Sequence, residues 1–541
     1  MAPVKVLIIG GGCAGWIPAV YLQAALDGNG QRCVDIGVIE SPDGPQSGKG
    51  EATLPDIRRL LDVIGLSEID FLERVDGTFK QAIKHVNWVH GHGDYYFHTL
   101  DRSRMQPIDA LGMHWLMSDQ SIPFAETIST QPIICELGLA PLPLGGQGQG
   151  VLRSLSYAYH VNARKFADVL REIAVSMGVS HHLDDVADVE LADNGDVAAI
   201  QTRNGKRLDA DLFVDCTGQD ALLIGERLGV EWVDFSNWLL CDRAITIDVP
   251  YDHYYPGNVR PYTTTTALSS GWAWDIPLQT HRSLGYVNSG AFIDEEDATD
   301  ELRVFEGPHA ESLEMRTHHF NAGYRAKPWV RNCVSMGHAA AYIEPLESTD
   351  LYLVSQAAEM LAEYFPYRDD LAPFAYRYNR ILANRYYEIL DFVNMHYCLT
   401  RRADTEFWRE VRKPEHVNDR LQAKLDFWKV KVPSMSDFVD QKFPAQRETA
   451  LPDGNLPGDH RAPVDTAALF GIDNYEAVLY GMGFLEQECD LWFGKKRPKT
   501  RIPKQIVENL RRAPDALPPH AVWLQQAVGM PEYPVSPGAR P

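Results

Sequence analysis

The chain has 541 residues, with 51 Lys and Arg against 74 Asp and Glu, a formal net charge of −23. Hydrophobic residues at 45% and aromatics at 10% give ample material for packed cores and exclude wholesale disorder. The acid excess argues against non-specific binding to nucleic acid or anionic membranes, and no apolar run reaches membrane-spanning length.

The N-terminus runs straight into a β-branched segment without a basic region, apolar core and cleavage site, so no signal peptide is expected. Eight cysteines are scattered with no CxxC pair. That usage suits reduced thiols and a cytoplasmic location, and no metal site is expected. The length predicts about two to four folding units.

In chain order, the apolar run 4–9 ends at Gly10-Gly11-Gly12, residues 14–27 read as a helix, and residues 33–40 resume a strand after the turn signal Gly28-Asn29-Gly30. This is a βαβ unit. Residues 163–177 read as a second helix, with Phe166, Val169, Leu170 and Ile173 on one face and Asn162 as N-cap. Two Asn-Gly turns, at 194–195 and 204–205, punctuate an expected β-meander that ends on 210–215. Residues 220–330 are rich in Trp, Tyr, Thr and Pro and read as sheet and loops; residues 351–427 read as helical and aromatic. The proline-rich last thirty residues are expected to form a loosely ordered tail. There is no internal repeat.

Gly10, Gly12 and Gly15 spell GxGxxG between the first strand and its helix. The first glycine permits the tight turn, the second lets a pyrophosphate approach the backbone, and the third packs helix against strand. A plain structural turn would use the same residues. The preceding strand, the following helix and Glu40 at the end of the second strand, where a ribose hydroxyl needs an acceptor, favour a dinucleotide. Two further strand-then-glycine steps, at Gly218 and Gly337, fit FAD better than NAD, because an FAD site draws on widely spaced segments.

More specific residues follow: GGGCAGW (10–16, including Ala14), GEATLP (50–55, including Gly50, Ala52 and Thr53), FKQAIKHVNW (79–88), GWAWDIP (271–277) and EPLESTDL (344–351), in that order. In these the chain resembles the flavin-dependent tryptophan halogenases, over most of residues 1–410. The resemblance implies an α/β chain: an FAD-binding three-layer module of the flavin monooxygenase and halogenase type over 1–390, with an inserted substrate-facing sheet and loops. A mostly helical C-terminal region over 391–541 would cover the substrate.

It also implies two-site chemistry. FADH2 from a separate flavin reductase reacts with O2 and a halide ion, and the resulting hypohalous acid travels to an aromatic small molecule held elsewhere. Lys80 matches the catalytic lysine and Glu347 its partner glutamate. An ammonium can hold and polarise hypohalous acid beside the target carbon, and a carboxylate can stabilise the ring cation and take its proton. Elsewhere a lysine of this kind is an ordinary surface charge and a glutamate before Ser-Thr an ordinary cap. Trp272 and Trp274, two apart on an extended segment, point one way and with Ile276 would wall flavin from substrate. A random WxW would be core packing. Thr349 and Asp350 match the halide-binding segment, but the family frequently has a small residue where this chain has Asp350. An ionised side chain there must turn away from the anion, which favours bromide, the halide that costs less to dehydrate.

In members specific for free tryptophan, a segment ending in Phe-Trp carries a tyrosine pair, a glutamate four residues before the Phe and an asparagine after it. Here Phe407 and Trp408 remain, but His396-Tyr397 replaces the tyrosine pair, Ala403 stands at the glutamate position and Arg412 at the asparagine position. Without that carboxylate a zwitterion's ammonium loses its counter-charge. His98 and Leu100 lie where the family flanks the indole, and Leu100 suggests a roomier pocket. The expected substrate is an indole or another electron-rich aromatic without the amino-acid head group. The main alternative is an FAD-dependent aromatic monooxygenase, a hydroxylase; a degenerate flavoprotein and an NAD dehydrogenase rank behind it. The sequence leaves a monomer or a homodimer open.

Overall fold

The apolar run at the N-terminus becomes an inner strand of a six-stranded sheet in the computed structural model, which describes residues 3–27, 33–44, 48–100, 111–144, 155–251, 259–366, 371–438 and 469–533. The sheet order is Trp329–Val330, Cys333–Ser335, Leu212–Asp215, Val4–Ile9, Val34–Glu40, Ser180–Leu183, parallel except for the first edge strand. Alternation along Val4–Ile9 sorts its side chains into two layers. Leu7 and Ile9 share a core with Ile39, Phe213, Val189, Val197 and Ile200, the last three from the antiparallel strands Val186–Leu191 and Val197–Thr202. Ile8 faces the other way, against Gly15 of the helix Cys13–Leu26, which packs with the helices Ala163–Ser176 and Asp350–Glu363. The three layers are therefore meander, parallel sheet and helices. Asn162 caps its helix as the sequence suggests, accepting the Lys165 N–H at 3.1 Å.

These elements fall in one compact unit, built from residues 1–77, 161–235 and 320–386. A second unit holds residues 78–160, 236–319 and 387–541. The expected single cut near 390 is thus replaced by a chain that passes between the units repeatedly. The inserted sheet groups with the C-terminal helices, not with the nucleotide-type module, because those helices pack on it: Gly481 of the helix Ile472–Gly481 lies so close to Tyr96 that a Cβ there would strike the ring.

The second unit's sheet runs Met315–His319, Arg243–Pro250, His281–Asn288, Gly271–Pro277, Thr263–Ala267, Ala82–Val86, Tyr95–Thr99. Its one parallel pair joins Thr263–Ala267 to Ala82–Val86. One face buries Ile245, Ile247, Val249, Leu284 and Tyr286 under Ala298 and Leu302 of the helix Glu295–Glu306. That helix interrupts a region read as sheet and loops. Its sequence signal is Asp294, which caps by accepting the Asp297 N–H, followed by three acidic residues in the first turn.

The proline-rich end is helical and anchored as far as it is described. The end of the helix Lys504–Ala516 and the helix His520–Val528 stand where a loose tail was expected, with His520, Trp523 and Leu524 buried. Pro503 and Pro519 sit at the N-cap positions, where a missing N–H costs a helix nothing. Residues 534–541 and the turn at 28–30 lie outside the described residues. Among the described residues no helix is long and apolar enough to cross a membrane. The eight cysteines are free thiols.

Candidate active site

Each unit carries its own constellation of the expected residues. In the first, Gly10 takes φ +116°, and a Cβ there would collide with the Cys216 carbonyl. Its N–H donates to Ile39 O at 2.9 Å, while the Cys216 N–H donates to Ile9 O at 2.8 Å. Gly15 is equally enclosed, since a Cβ would strike the Gly10 carbonyl. Gly12 differs. It N-caps the helix Cys13–Leu26, and a Cβ on it would meet nothing within 4 Å. Open space over a glycine at a helix N-terminus is what the pyrophosphate of FAD requires, so these residues fit that cofactor.

Glu40 ends its strand beside the turn, close enough that a Cβ on Gly11 would run into its side chain. Its Oε2 lies 2.9 Å from His181 Nε2. The step at Gly218 is pinned by the buried Asp215 carboxylate, which accepts from Thr217 N and Oγ1 at 3.1 and 2.7 Å and from Leu223 N and Ile224 N at 2.9 and 2.8 Å. The turns Gly218–Asp220 and Gly337–Ala339 adjoin, and Gly337 in turn abuts Ala14. Between Gly50 and Ala52, burial pushes the Glu51 carboxyl above its usual range; Asp350 adds to this, while Lys49 and His338 oppose it. Thr53 is buried next to them. All the expected cofactor residues therefore belong to this unit.

So do Glu347, Thr349 and Asp350. After the single turn Pro345–Glu347, Ser348 adopts φ +61°, a left-handed conformation held by a non-glycine residue. Strain of that kind persists where the surroundings enforce it, commonly at functional sites. It reverses the chain so that Glu347 and Thr349 are both fully buried on either side of it. Thr349 then opens the helix Asp350–Glu363, whose first N–H groups form an anion-favouring end. The Asp350 carboxylate lies 3.9 Å from His338 Nε2, so its charge is directed to a histidine.

In the second unit, Lys80 ends the short strand Thr78–Lys80 and is wholly buried. Its strand is clamped on both sides. Thr78 Oγ1 donates to Pro277 O at 2.6 Å, so it accepts from His160 Nδ1 at 2.9 Å; His160 Nε2 then accepts from Thr263 Oγ1, also at 2.9 Å. Burial, then the nearby Lys80 and His520 charges, hold the His160 pKa well below its ordinary value, consistent with this neutral form. On the next residue, the Phe79 N–H donates to His520 Nε2 at 3.2 Å and His520 Nδ1 donates to Val259 O at 2.8 Å. Burial pushes the His520 pKa down to about 4.

This histidine gives the protein an acid-labile element. A folded-state pKa below the unfolded value of about 6.5 means the unfolded chain binds the extra proton first. The His520 contribution is thus complete above about pH 6.5 and is lost as the pH falls toward 4, by about 3 kcal/mol in all. His160 acts with the same sign. Urea midpoints measured from pH 7.5 to 4 should fall accordingly, and His520→Gln should flatten the dependence by the His520 share.

The sheet register places the remaining residues. Trp272, Trp274 and Ile276 project from one face, as their spacing predicts, and on that face Trp274 is paired with Gly285 and Thr265. Gly285 makes room for it: a Cβ there would occupy the Trp274 ring. The same face carries Thr263, His85 and His98. A continuous run of rings covers it. His396 lies 5.0 Å from His85 and 6.0 Å from Trp88, and Trp88 meets Trp272, Tyr397 and Trp408 at 6.3, 5.6 and 5.6 Å between centroids. Trp408 is stacked on Tyr397, covered by Arg402 and hydrogen-bonded through Nε1 to Leu268 O at 2.7 Å. Phe407 packs between it and Phe292. Both are wholly buried, each with a ring contact to Tyr397. Leu100 is buried, and its N–H donates to Gln81 O at 3.2 Å, beside Lys80.

Three residues around His98 were not foreseen. Phe392 and Phe470 lie 5.5 and 6.4 Å from it, and Asn474 Nδ2 lies 2.8 Å from its Nε2. The sequence signal for Asn474 was its place at the start of the helix Ile472–Gly481, where its Oδ1 accepts the Gly471 N–H at 2.9 Å.

A family model described as Tryptophan halogenase matches residues 5–495. The chain is 32% identical over 501 residues to the tryptophan 7-halogenase RebH of Lentzea aerocolonigenes, covering 89% of this chain and 90% of that one. It is 33% identical over 455 residues to the tryptophan 6-halogenase ThaL of Streptomyces albogriseolus, covering 81% and 84%. Among solved structures, the tryptophan halogenase of Shewanella frigidimarina superposes with a TM-score of 0.82 at 30% identity, over 98% of this chain and 99% of that chain.

Proposed function

The chain belongs to the tryptophan halogenase family and is a flavin-dependent halogenase, and on that footing we propose that it halogenates an indole-type aromatic lacking an amino-acid head group. It does so in the cytoplasm, with FADH2 from a separate flavin reductase, O2, and bromide or chloride. The hydroxylase alternative is set aside with the family match.

FAD is held by the Gly10–Gly15 turn with Glu40, Gly50, Ala52, Thr53, Gly218 and Gly337, and when reduced it supplies, with oxygen and halide, hypohalous acid. The helix end at Thr349 and Asp350 receives the halide. Trp272, Trp274 and Ile276 keep flavin chemistry from the aromatic. The Lys80 ammonium donates a hydrogen bond to the oxygen of the acid. As the ring forms its carbon–halogen bond, the halogen–oxygen bond breaks and the oxygen takes a proton from Lys80 and leaves as water. The ring cation then gives its proton to Glu347 and recovers aromaticity.

The substrate class is supported by one observation: three carboxylates near the ring cluster already have partners. Glu388 accepts the Phe470 N–H at 3.0 Å, Asp391 pairs with Lys424 at 2.8 Å, and Asp404 takes both arms of Arg402 at 3.0 and 2.7 Å. With Ala403 at the glutamate position and these three committed, none of them is left to a substrate ammonium, and a buried unpaired ammonium is heavily disfavoured.

The test offers the protein FAD, NADH, a generic flavin reductase and sodium bromide, with indole and tryptophan in separate reactions. Mass spectrometry should show the bromine isotope doublet on indole in at least about tenfold excess over tryptophan. Preferential bromination of tryptophan would overturn the head-group reading.

A further inference from the structure

We propose that Asn474 is a positioning residue that fixes the His98 imidazole in one orientation and one tautomer, as the surface against which the aromatic substrate lies. The proposal rests on the reading of His98 as a flank of that substrate.

His98 is buried on the strand Tyr95–Thr99, opposite Ile83, on the sheet face that bears Ile276 and Thr263. Phe392 and Phe470, stacked on each other at 3.9 Å, form an apolar wall beside it. The orientation of Asn474 follows from its two bonds. A backbone N–H can only donate, so the Asn474 atom 2.9 Å from Gly471 N is the carbonyl oxygen. The other terminal atom, 2.8 Å from His98 Nε2, is therefore the amide nitrogen. An amide nitrogen can only donate, so Nε2 must offer a lone pair, and the imidazole proton sits on Nδ1. Protonating Nε2 would set two donors face to face.

This bears on the chemistry. Electrophilic substitution needs the target carbon held beside the oxidant, and an imidazole ring fixed in one orientation keeps the aromatic in register. One side chain thus caps a helix and fixes the ring that faces the substrate, tying the C-terminal helix Ile472–Gly481 to the reaction.

Full-length protein with isotope-labelled histidine, examined by nitrogen NMR, tests the assignment, the His98 signal being identified by its loss in His98→Gln. The parent should show the Nδ1–H tautomer. In Asn474→Asp, whose carboxylate can still accept from Gly471 but now accepts from Nε2 as well, the signal should move to a form protonated at Nε2. Asn474→Leu should lower halogenated product per flavin oxidised about tenfold, with the rate of flavin oxidation unchanged. A parent His98 protonated at Nε2, or one unmoved in Asn474→Asp, overturns the proposal whatever the product yields. Absence of product from the parent on every aromatic would instead count against the functional reading, and the NMR comparison would still decide the tautomer.

Discussion

Lys80→Ala is expected to lower halogenated product about a thousandfold while reduced FAD is still oxidised at the parent rate. The size follows from what the ammonium is asked to do. In the proposed mechanism it holds a small, reactive acid beside one carbon and delivers the proton that lets oxygen leave as water, two tasks no neighbour on its strand repeats. The neighbours are instead committed to the fold: Thr78 to Pro277 and His160, Phe79 to His520, and Gln81 Nε2 to Leu139 O at 2.8 Å. These bonds keep the backbone at 78–81 in place when the side chain is removed. The residues proposed to hold FAD belong to the other unit and are untouched. The measurement is product per flavin oxidised, with Lys80→Met alongside to preserve volume. Product within tenfold of the parent in both variants would remove Lys80 from the mechanism. A fall in flavin oxidation that tracks the product would point to general damage.

How much of this was legible in the sequence depended on distance along the chain. The strand Val4–Ile9, its glycine turn and the helix Cys13–Leu26 are local, and period and turn chemistry specify them. The same holds for the capped helix Ala163–Ser176 and the Asn-Gly meander. Lys80, Glu347 and the Trp272–Trp274 pair came from short motifs whose order carried the resemblance. What escaped depends on residues far apart. Nothing local at Asn474 announces a partner 376 positions earlier. Nor does the tail announce that His520 will receive the Phe79 N–H, 441 positions away. The tail misled for a physical reason as well: its prolines suggested looseness, but Pro519 stands at a helix N-cap, where it helps. The grouping of the inserted sheet with the C-terminal helices is likewise a tertiary fact, set by packing such as Gly481 against Tyr96.

The Gly10–Gly15 turn allows the cofactor role of a glycine to be separated from its structural role. Gly15→Ala should damage the fold, because its Cβ has nowhere to go but into the Gly10 carbonyl. Gly12→Ser should leave the fold intact. Gly12 has φ −75° and ψ −173°, ordinary for any residue, its Cβ would meet nothing, and serine is a better helix N-cap than glycine. If the pyrophosphate of FAD crosses that open space, the added side chain occupies the path and blocks approach to the first N–H groups of the helix Cys13–Leu26. FAD affinity, read from the quenching of flavin fluorescence on titration, should then fall about a hundredfold, roughly 2.7 kcal/mol, with the melting temperature of the cofactor-free protein unchanged or higher. Affinity unchanged in Gly12→Ser would mean that the cofactor does not pass over this turn. Gly15→Ala, by contrast, should lose affinity and melting temperature together, because in that variant the cradle itself has moved.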